Sequence, residues 1–150
     1  MAERGGTMLG MGRTVGARGL ADYELTLIKT DSGRLVFEAH PNLKIILGHL
    51  GETLPFLVWR IDHALSRPGQ RSISFRDIFC NNFYITTSGN FSDPALLCCV
   101  MELGVDRILF AVDYPFVMNP PATRWMEGVP LSDADKTKIL CGNAQRLLRM

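Results

Sequence analysis

Apolar and polar positions follow two different periods after residue 40. Leu43-Lys44-Ile45-Ile46-Leu47-Gly48 is a compact, β-branched apolar run, the pattern of a strand covered on both faces. It ends at the more polar stretch His49-Leu50-Gly51-Glu52. Phe56, Leu57, Trp59, Arg60, Ile61, His63 and Ala64 follow at helical spacing, and Pro68-Gly69 closes that helix. Ser74 predicts the N-cap of a short helix over 75–79. Phe83-Tyr84-Ile85-Thr86-Thr87, aromatic and β-branched, predicts a second strand ending at Ser88-Gly89-Asn90. Pro94 in a first turn and Gly104 at a terminus bracket a helix carrying Leu96, Leu97, Val100, Met101 and Leu103. Arg107-Ile108-Leu109-Phe110-Ala111-Val112 predicts a third strand, ending at Asp113-Tyr114-Pro115. Pro115, Pro120 and Pro121 mark a loop. Ser132-Asp133-Ala134-Asp135 resembles a capping box and opens a last helical region, which Gly142-Asn143 breaks before a final turn through Leu147 and Leu148.

The pattern is weaker ahead of residue 40. Residues 1–21 are rich in glycine and have no sustained period, so they predict a poorly ordered lead. Tyr23, Leu25, Leu27 and Ile28 suit either a short helix or a strand. Asp31 or Ser32 is placed to cap a helix running to Ala39, which Pro41 stops. The chain thus divides into a divergent, flexible lead over 1–34 and a domain over 35–150. Strand and helix alternate three times in that domain, which predicts an α/β fold of right-handed βα units on a parallel sheet.

Composition adds exclusions. The 150 residues are 47% hydrophobic and 21% charged, ordinary for a globular domain. Sixteen basic and fifteen acidic side chains leave a net charge of +1. No basic stripe or acidic block stands out, so neither nucleic acid nor a membrane surface is expected as a partner. No apolar run reaches the ~18 residues of a membrane span, and the first twenty residues lack the apolar segment of a secretory signal. Cys80, Cys98, Cys99 and Cys141 form no CxxC pair. They are expected to be reduced, mostly buried thiols of a reducing, cytoplasmic compartment.

Chemistry-bearing residues recur at one place, the carboxyl end of each strand: His49 and Glu52, then Ser88 and Asn90, then Asp113. In parallel α/β folds those ends form the active-site face. An imidazole binds metal or moves a proton near neutral pH. A carboxylate three residues on could return to His49 and fix its tautomer. Alternatively, His49 is a satisfied structural histidine and Glu52 an acid at a helix N-terminus. Asp113 directly follows an apolar run, where a carboxylate needs a cation, a proton or donors. It suits a metal ligand or an acid–base group, or else it caps the turn at Tyr114-Pro115. His40 falls at the opposite strand end and His63 on a helix surface, so both are expected to be structural. Phe56, Trp59 and the methionines are expected in the core.

Residues 40–150 resemble a known family. His40-Pro41-Asn42-Leu43-Lys44-Ile45-Ile46-Leu47-Gly48-His49-Leu50-Gly51-Glu52 is similar to the sixth-strand region of amidohydrolase-related, metal-dependent decarboxylases. Arg107 through Pro115 resembles their eighth strand with its aspartate, and Gly142-Asn143-Ala144 their C-terminal motif. Ile73 through Phe79 and Tyr84 through Asn90 are most similar to the fungal dihydroxybenzoate and γ-resorcylate decarboxylases.

The resemblance implies about three C-terminal units of a (β/α)8 barrel and a non-oxidative carboxy-lyase of small aromatic hydroxy acids, with a divalent metal, zinc or manganese. It implies Asp113 as metal ligand and proton donor, His49 and Glu52 as a polar relay, and Ser88 and Asn90 lining the substrate. Full-length relatives are expected to be homo-oligomers. The family also draws metal ligands from a Glu-x-His or His-x-His pair on its first strand. It takes another from a histidine after the fifth strand. No such pair is expected anywhere in this chain, and residues 1–34 do not match the first five strands, so a fragment with an incomplete site, open sheet edges and impaired activity is expected. Metal-dependent hydrolysis and a non-catalytic fragment that binds partners are the alternatives.

Overall fold

The computed structural model describes residues 36–65 and 74–150; the expected lead over 1–34, the cap at Asp31 or Ser32 and the Pro68-Gly69 stop lie outside them. Three strands form one parallel sheet in sequential order: β1 (Ile45–Leu47), β2 (Phe83–Thr86) and β3 (Ile108–Leu109). Ile45 pairs with Phe83, and Ile85 with Ile108. The helices are α1 (Val36–Ala39), α2 (Leu54–Leu65), α3 (Phe75–Asn82), α4 (Asp93–Leu103), α5 (Asn119–Gly128), α6 (Asp133–Thr137) and α7 (Asn143–Leu148). A π-helical turn, Lys138–Gly142, joins the last two. The predicted α/β alternation is therefore present.

Local chemistry accounts for several helix ends. Ser74 Oγ accepts the Asp77 N–H at 3.1 Å and so caps α3. Ser132 Oγ accepts the Asp135 N–H at 3.1 Å and donates to Asp135 Oδ2 at 2.8 Å. This is a capping box closed through the side chain. Pro94 occupies the first turn of α4, and Gly104 ends it with φ 83°.

The core lies where the helices cover the sheet. Leu54, Val58 and Ile61 of α2, Phe75 and Phe79 of α3, and Leu96 and Cys99 of α4 are buried against Phe83 and Ile85 of β2 and Ile108 of β3. Phe37, Phe79 and Phe83 pack ring against ring, with centroids 5.2–5.4 Å apart.

Several expectations are corrected here. β1 is an edge strand among the described residues, and Ile46 is 49% exposed rather than covered on both faces. Phe56 (80% exposed) and Trp59 (68% exposed) are not core. α2 is apolar on two sides, and the 54/58/61 stripe takes the interior, leaving Trp59 stacked on the exposed His63 at 5.2 Å. Met101 and Met118 are also exposed, whereas Met126 is buried. Pro120 and Pro121 open α5 instead of marking a loop; proline's fixed φ and missing N–H suit a first turn. β3 is shorter than expected because the main chain past Leu109 turns to other partners, the Phe110 N–H donating to the Ile139 carbonyl at 2.9 Å. The Thr87 hydroxyl accepts the Ala111 N–H at 3.0 Å and donates to the Ala111 carbonyl at 2.8 Å.

Gly142 and Asn143 do not break the helix, since both are right-handed helical. The buried Asn143 amide donates to the carbonyls of Val105 and Ile108, each at 2.8 Å, and pins the helix to β3. All four cysteines are free, but only Cys99 is buried and Cys141 is exposed. Among the described residues no helix is long and apolar enough to cross a membrane.

Candidate functional site

The chain leaves β1 through a tight turn of unusual hand. His49, Leu50, Gly51 and Glu52 have φ of 52°, 54°, 69° and 56°. Three of these are not glycine, and each non-glycine residue in this region carries strain that the surroundings must hold. Several contacts do so. The Leu50 side chain is buried. The Gly51 N–H donates to the Gly48 carbonyl at 2.8 Å, and the Glu52 N–H to the His49 carbonyl at 3.1 Å. The Cys99 thiol donates to the Leu50 carbonyl at 3.4 Å. Burial, followed by the neighbouring charge at Cys98, pushes the Cys99 thiol up to about 12, so it remains protonated and able to donate.

The end of β2 grips the same turn. The His49 main-chain N–H donates to Ser88 Oγ at 3.1 Å. The His49 Nδ1–H donates to the Ser88 carbonyl at 2.8 Å. A carbonyl only accepts, so this bond places the neutral ring's proton on Nδ1 and leaves Nε2 with a free lone pair. Ser88 Oγ shares a further bond with Thr86 Oγ1 at 2.7 Å, and Asn90 Nδ2 donates to the His49 carbonyl at 3.4 Å.

Asp113 arrives from β3, also at positive φ, 82°. Its main-chain carbonyl accepts the N–H groups of Phe116 and Val117 at 2.8 and 3.1 Å, which makes the turn that follows. The backbone, not the carboxylate, performs this role. The carboxylate is half-buried, with no side-chain hydrogen bond to another described residue. A Cβ placed on Gly89 would lie 3.1 Å from Asp113 Oδ2 and 3.1 Å from His49 Nδ1. The two side chains therefore converge over Gly89, separated by no more than twice that distance.

The predicted residues thus divide. His49, Ser88, Asn90 and Asp113 gather at one rim. Glu52 lies three residues from His49, but its side chain is exposed and makes no hydrogen bond or ion pair with a described residue. The tautomer-fixing partner is the Ser88 carbonyl. Gly89 and Thr87, which carried no expected role, set the frame. Glu38-Ala39-His40 has the Glu-x-His spacing, but it lies on α1 and the turn after it, at the opposite end of β1 from His49. Among the described residues no group of three or more His, Cys, Asp or Glu is gathered to hold a metal ion.

Residues 34–150 match the model of a family described as amidohydrolase. The chain is 46% identical over 125 residues to the γ-resorcylate decarboxylase of Polaromonas sp., an alignment covering 79% of this chain and 38% of the relative. The decarboxylase orsB of Emericella nidulans is 36% identical over 122 residues, an alignment covering 77% of this chain and 37% of the relative. A solved 2,6-dihydroxybenzoate decarboxylase, complexed with 2,6-dihydroxybenzoate, superposes with a TM-score of 0.76 at 42% identity, covering 89% of this chain and 42% of that one. The Polaromonas dihydroxybenzoic acid decarboxylase, solved with manganese and 2-nitroresorcinol, gives 0.75 at 42% identity, with 89% and 40% coverage. This chain spans well under half the length of each of these relatives.

Proposed function

The chain belongs to the amidohydrolase family, and on that premise we propose that its strand ends carry part of the active site of a non-oxidative carboxy-lyase for dihydroxybenzoate-type acids. The observation that carries this reading is the convergence of His49 Nδ1 and Asp113 Oδ2 over Gly89, at the ends of parallel strands. The identity to γ-resorcylate decarboxylase supports the substrate class. Residues 35–150 are read as the C-terminal portion of a (β/α)8 barrel, whose strand ends are its catalytic face.

In this reading Asp113 passes a proton to the ring carbon that bears the carboxylate. The new C–H bond forms as the ring loses aromaticity. The bond to the carboxylate then breaks, its electron pair returns to the ring, and carbon dioxide leaves. His49, held by Ser88 in the Nδ1–H tautomer, presents Nε2 as an acceptor for a ring hydroxyl. Ser88 and Asn90 act by holding His49. Glu52 remains the nearest carboxylate in sequence to join that relay.

The cofactor in this reading is a divalent metal, zinc or manganese, with Asp113 as a ligand. The described residues bring together one carboxylate and one imidazole, short of the three or four protein ligands a zinc site uses. They do not fit a complete site. The free thiols support a cytoplasmic setting, and homo-oligomers are the expected assembly.

The test is carbon dioxide release from 2,6-dihydroxybenzoate by the purified chain with added zinc or manganese. Slow release, impaired by the incomplete metal site and lost in Asp113→Asn, is the expected result. Hydrolysis of a lactone or amide without such release would make the chain a hydrolase. Neither activity would favour a non-catalytic role, which the exposed apolar Ile46, Phe56 and Trp59 also suit.

A further inference from the structure

We propose that Gly89 is a positioning residue that sets the spacing between the His49 imidazole and the Asp113 carboxylate; this rests on reading those two groups as the working pair. Gly89 lies at the end of β2, between the two elements that deliver them. On one side its neighbour Ser88 holds the His49 ring through its carbonyl at 2.8 Å. On the other, the Gly89 N–H donates to the carbonyl of Val112 at 3.2 Å, immediately before Asp113. One residue thus ties both partners into a common frame.

Two independent observations favour glycine. Its φ is +65°, where side chains are strained. A Cβ would also meet Asp113 Oδ2 and His49 Nδ1, each at 3.1 Å, and His49 Cε1 at 3.5 Å. At 3.1 Å each neighbour has to give by a few tenths of an ångström, so a methyl group there presses on the two groups from between and strains the ring's bond to the Ser88 carbonyl. The small shared space above the Gly89 Cα belongs to both site residues, and a side chain would fill it.

Gly104 supplies the control. It also has positive φ, +83°, yet a Cβ there meets nothing within 4 Å. With ψ 153° it lies in a region nearly restricted to glycine, so Gly104→Ala carries a severe backbone strain without the wedge and separates a general loss of stability from a push on the two side chains. Gly89→Asn complements Gly89→Ala, because asparagine tolerates left-handed backbone and keeps the added Cβ.

The readout is the ring-nitrogen NMR spectrum of the full chain without added metal or substrate, at about pH 8, where an ordinary imidazole is neutral. Wild type should show His49 as the Nδ1–H tautomer, with its ring close to the Gly89 Hα protons. Gly89→Ala and Gly89→Asn should shift the His49 signals and leave those of His40 and His63 in place. Gly104→Ala should leave all three unchanged. Carbon dioxide release, where wild type shows it, should fall on the order of a hundredfold in kcat, with KM moving less. The proposal is overturned by a folded Gly89 variant with an unmoved His49 ring, or by the same shift in Gly104→Ala. If neither Gly89 variant folds, a wild-type ring with no Gly89 contact overturns it. Wild type without turnover would sink the proposed reaction, while the NMR comparison would still decide the positioning role.

Discussion

Ser88 holds His49 at two points: its hydroxyl accepts the histidine's main-chain N–H at 3.1 Å and its carbonyl accepts the ring Nδ1–H at 2.8 Å. The two bonds separate by mutation. Ser88→Ala removes the hydroxyl and keeps the carbonyl. The orphaned N–H sits in a turn already at positive φ, so the variant should lose about 1–3 kcal/mol of stability. The Nδ1–H tautomer should survive. Urea unfolding gives the first quantity and ring-nitrogen NMR the second. A changed tautomer would mean that the carbonyl bond is not what fixes it.

His49 and Asp113 should be separable by the kind of loss they produce. Asp113→Asn cannot give up a proton as a carboxylic acid does, so kcat should fall on the order of 10²–10⁴-fold, the range for removing a general acid. Asp113 has no side-chain partner among the described residues, so its removal should change stability by no more than about 0.5 kcal/mol. His49→Ala should cost both activity and stability, because the ring's bond to Ser88 supports the strained turn. Kinetics paired with thermal unfolding tests this split. Equal destabilisation by both variants would contradict it.

Asn143 is placed to be a stability determinant. Its buried amide donates to two main-chain carbonyls, each at 2.8 Å. Asn143→Ala leaves both acceptors without their partner and opens a small void. The expected loss is about 2–4 kcal/mol, from two unsatisfied groups at roughly 1–3 kcal/mol each with partial relaxation. Asn143→Asp should not rescue it, since a carboxylate cannot donate. Denaturant midpoints at constant m-value measure the effect.

The same contrast explains what the sequence reveals. His49 and Asp113 stand out because each polar residue directly follows an apolar strand, a one-dimensional pattern. Gly89 does not stand out, because its importance arises only when parallel register brings the ends of β1 and β3 to either side of it. Glu52 is close to His49 in sequence, yet its carboxylate does not pair with the ring, because the intervening residues turn with left-handed φ. Phe56 and Trp59 have helical spacing, but spacing alone does not say which stripe of a two-sided helix faces inward. Gly142-Asn143 has the composition of a break, but the two carbonyls waiting on β3 and its approach hold Asn143 in the helix.

Cys99 gives a pH prediction with a definite sign. Burial raises its thiol from 9.0 to about 12, so the folded chain keeps a proton that the unfolded chain releases. The corresponding stability is complete below pH 9.0 and is lost as pH climbs towards about 12. Cys99→Val should flatten that alkaline decline. At about pH 8 a thiol reagent should label the exposed Cys141 quickly and reach Cys99 only on unfolding. Mass mapping of the labelled peptides tests this, and fast Cys99 labelling in the folded chain would contradict its burial.

Metal retention tests how much of the site these residues supply. Asp113 and His49 offer two donors, with the His49 Nδ1 already committed to Ser88. Two donors hold a divalent ion far less tightly than the three or four of a zinc site. The desalted chain should therefore retain well under one zinc or manganese ion per chain by elemental mass spectrometry. Asp113→Asn should remove what remains, and Cys141→Ser should not. A value near one would require ligands from residues outside 36–65 and 74–150 or from another copy of the chain. Dilution distinguishes these sources: ligands from a second copy would make metal retention depend on protein concentration, and ligands from the same chain would not.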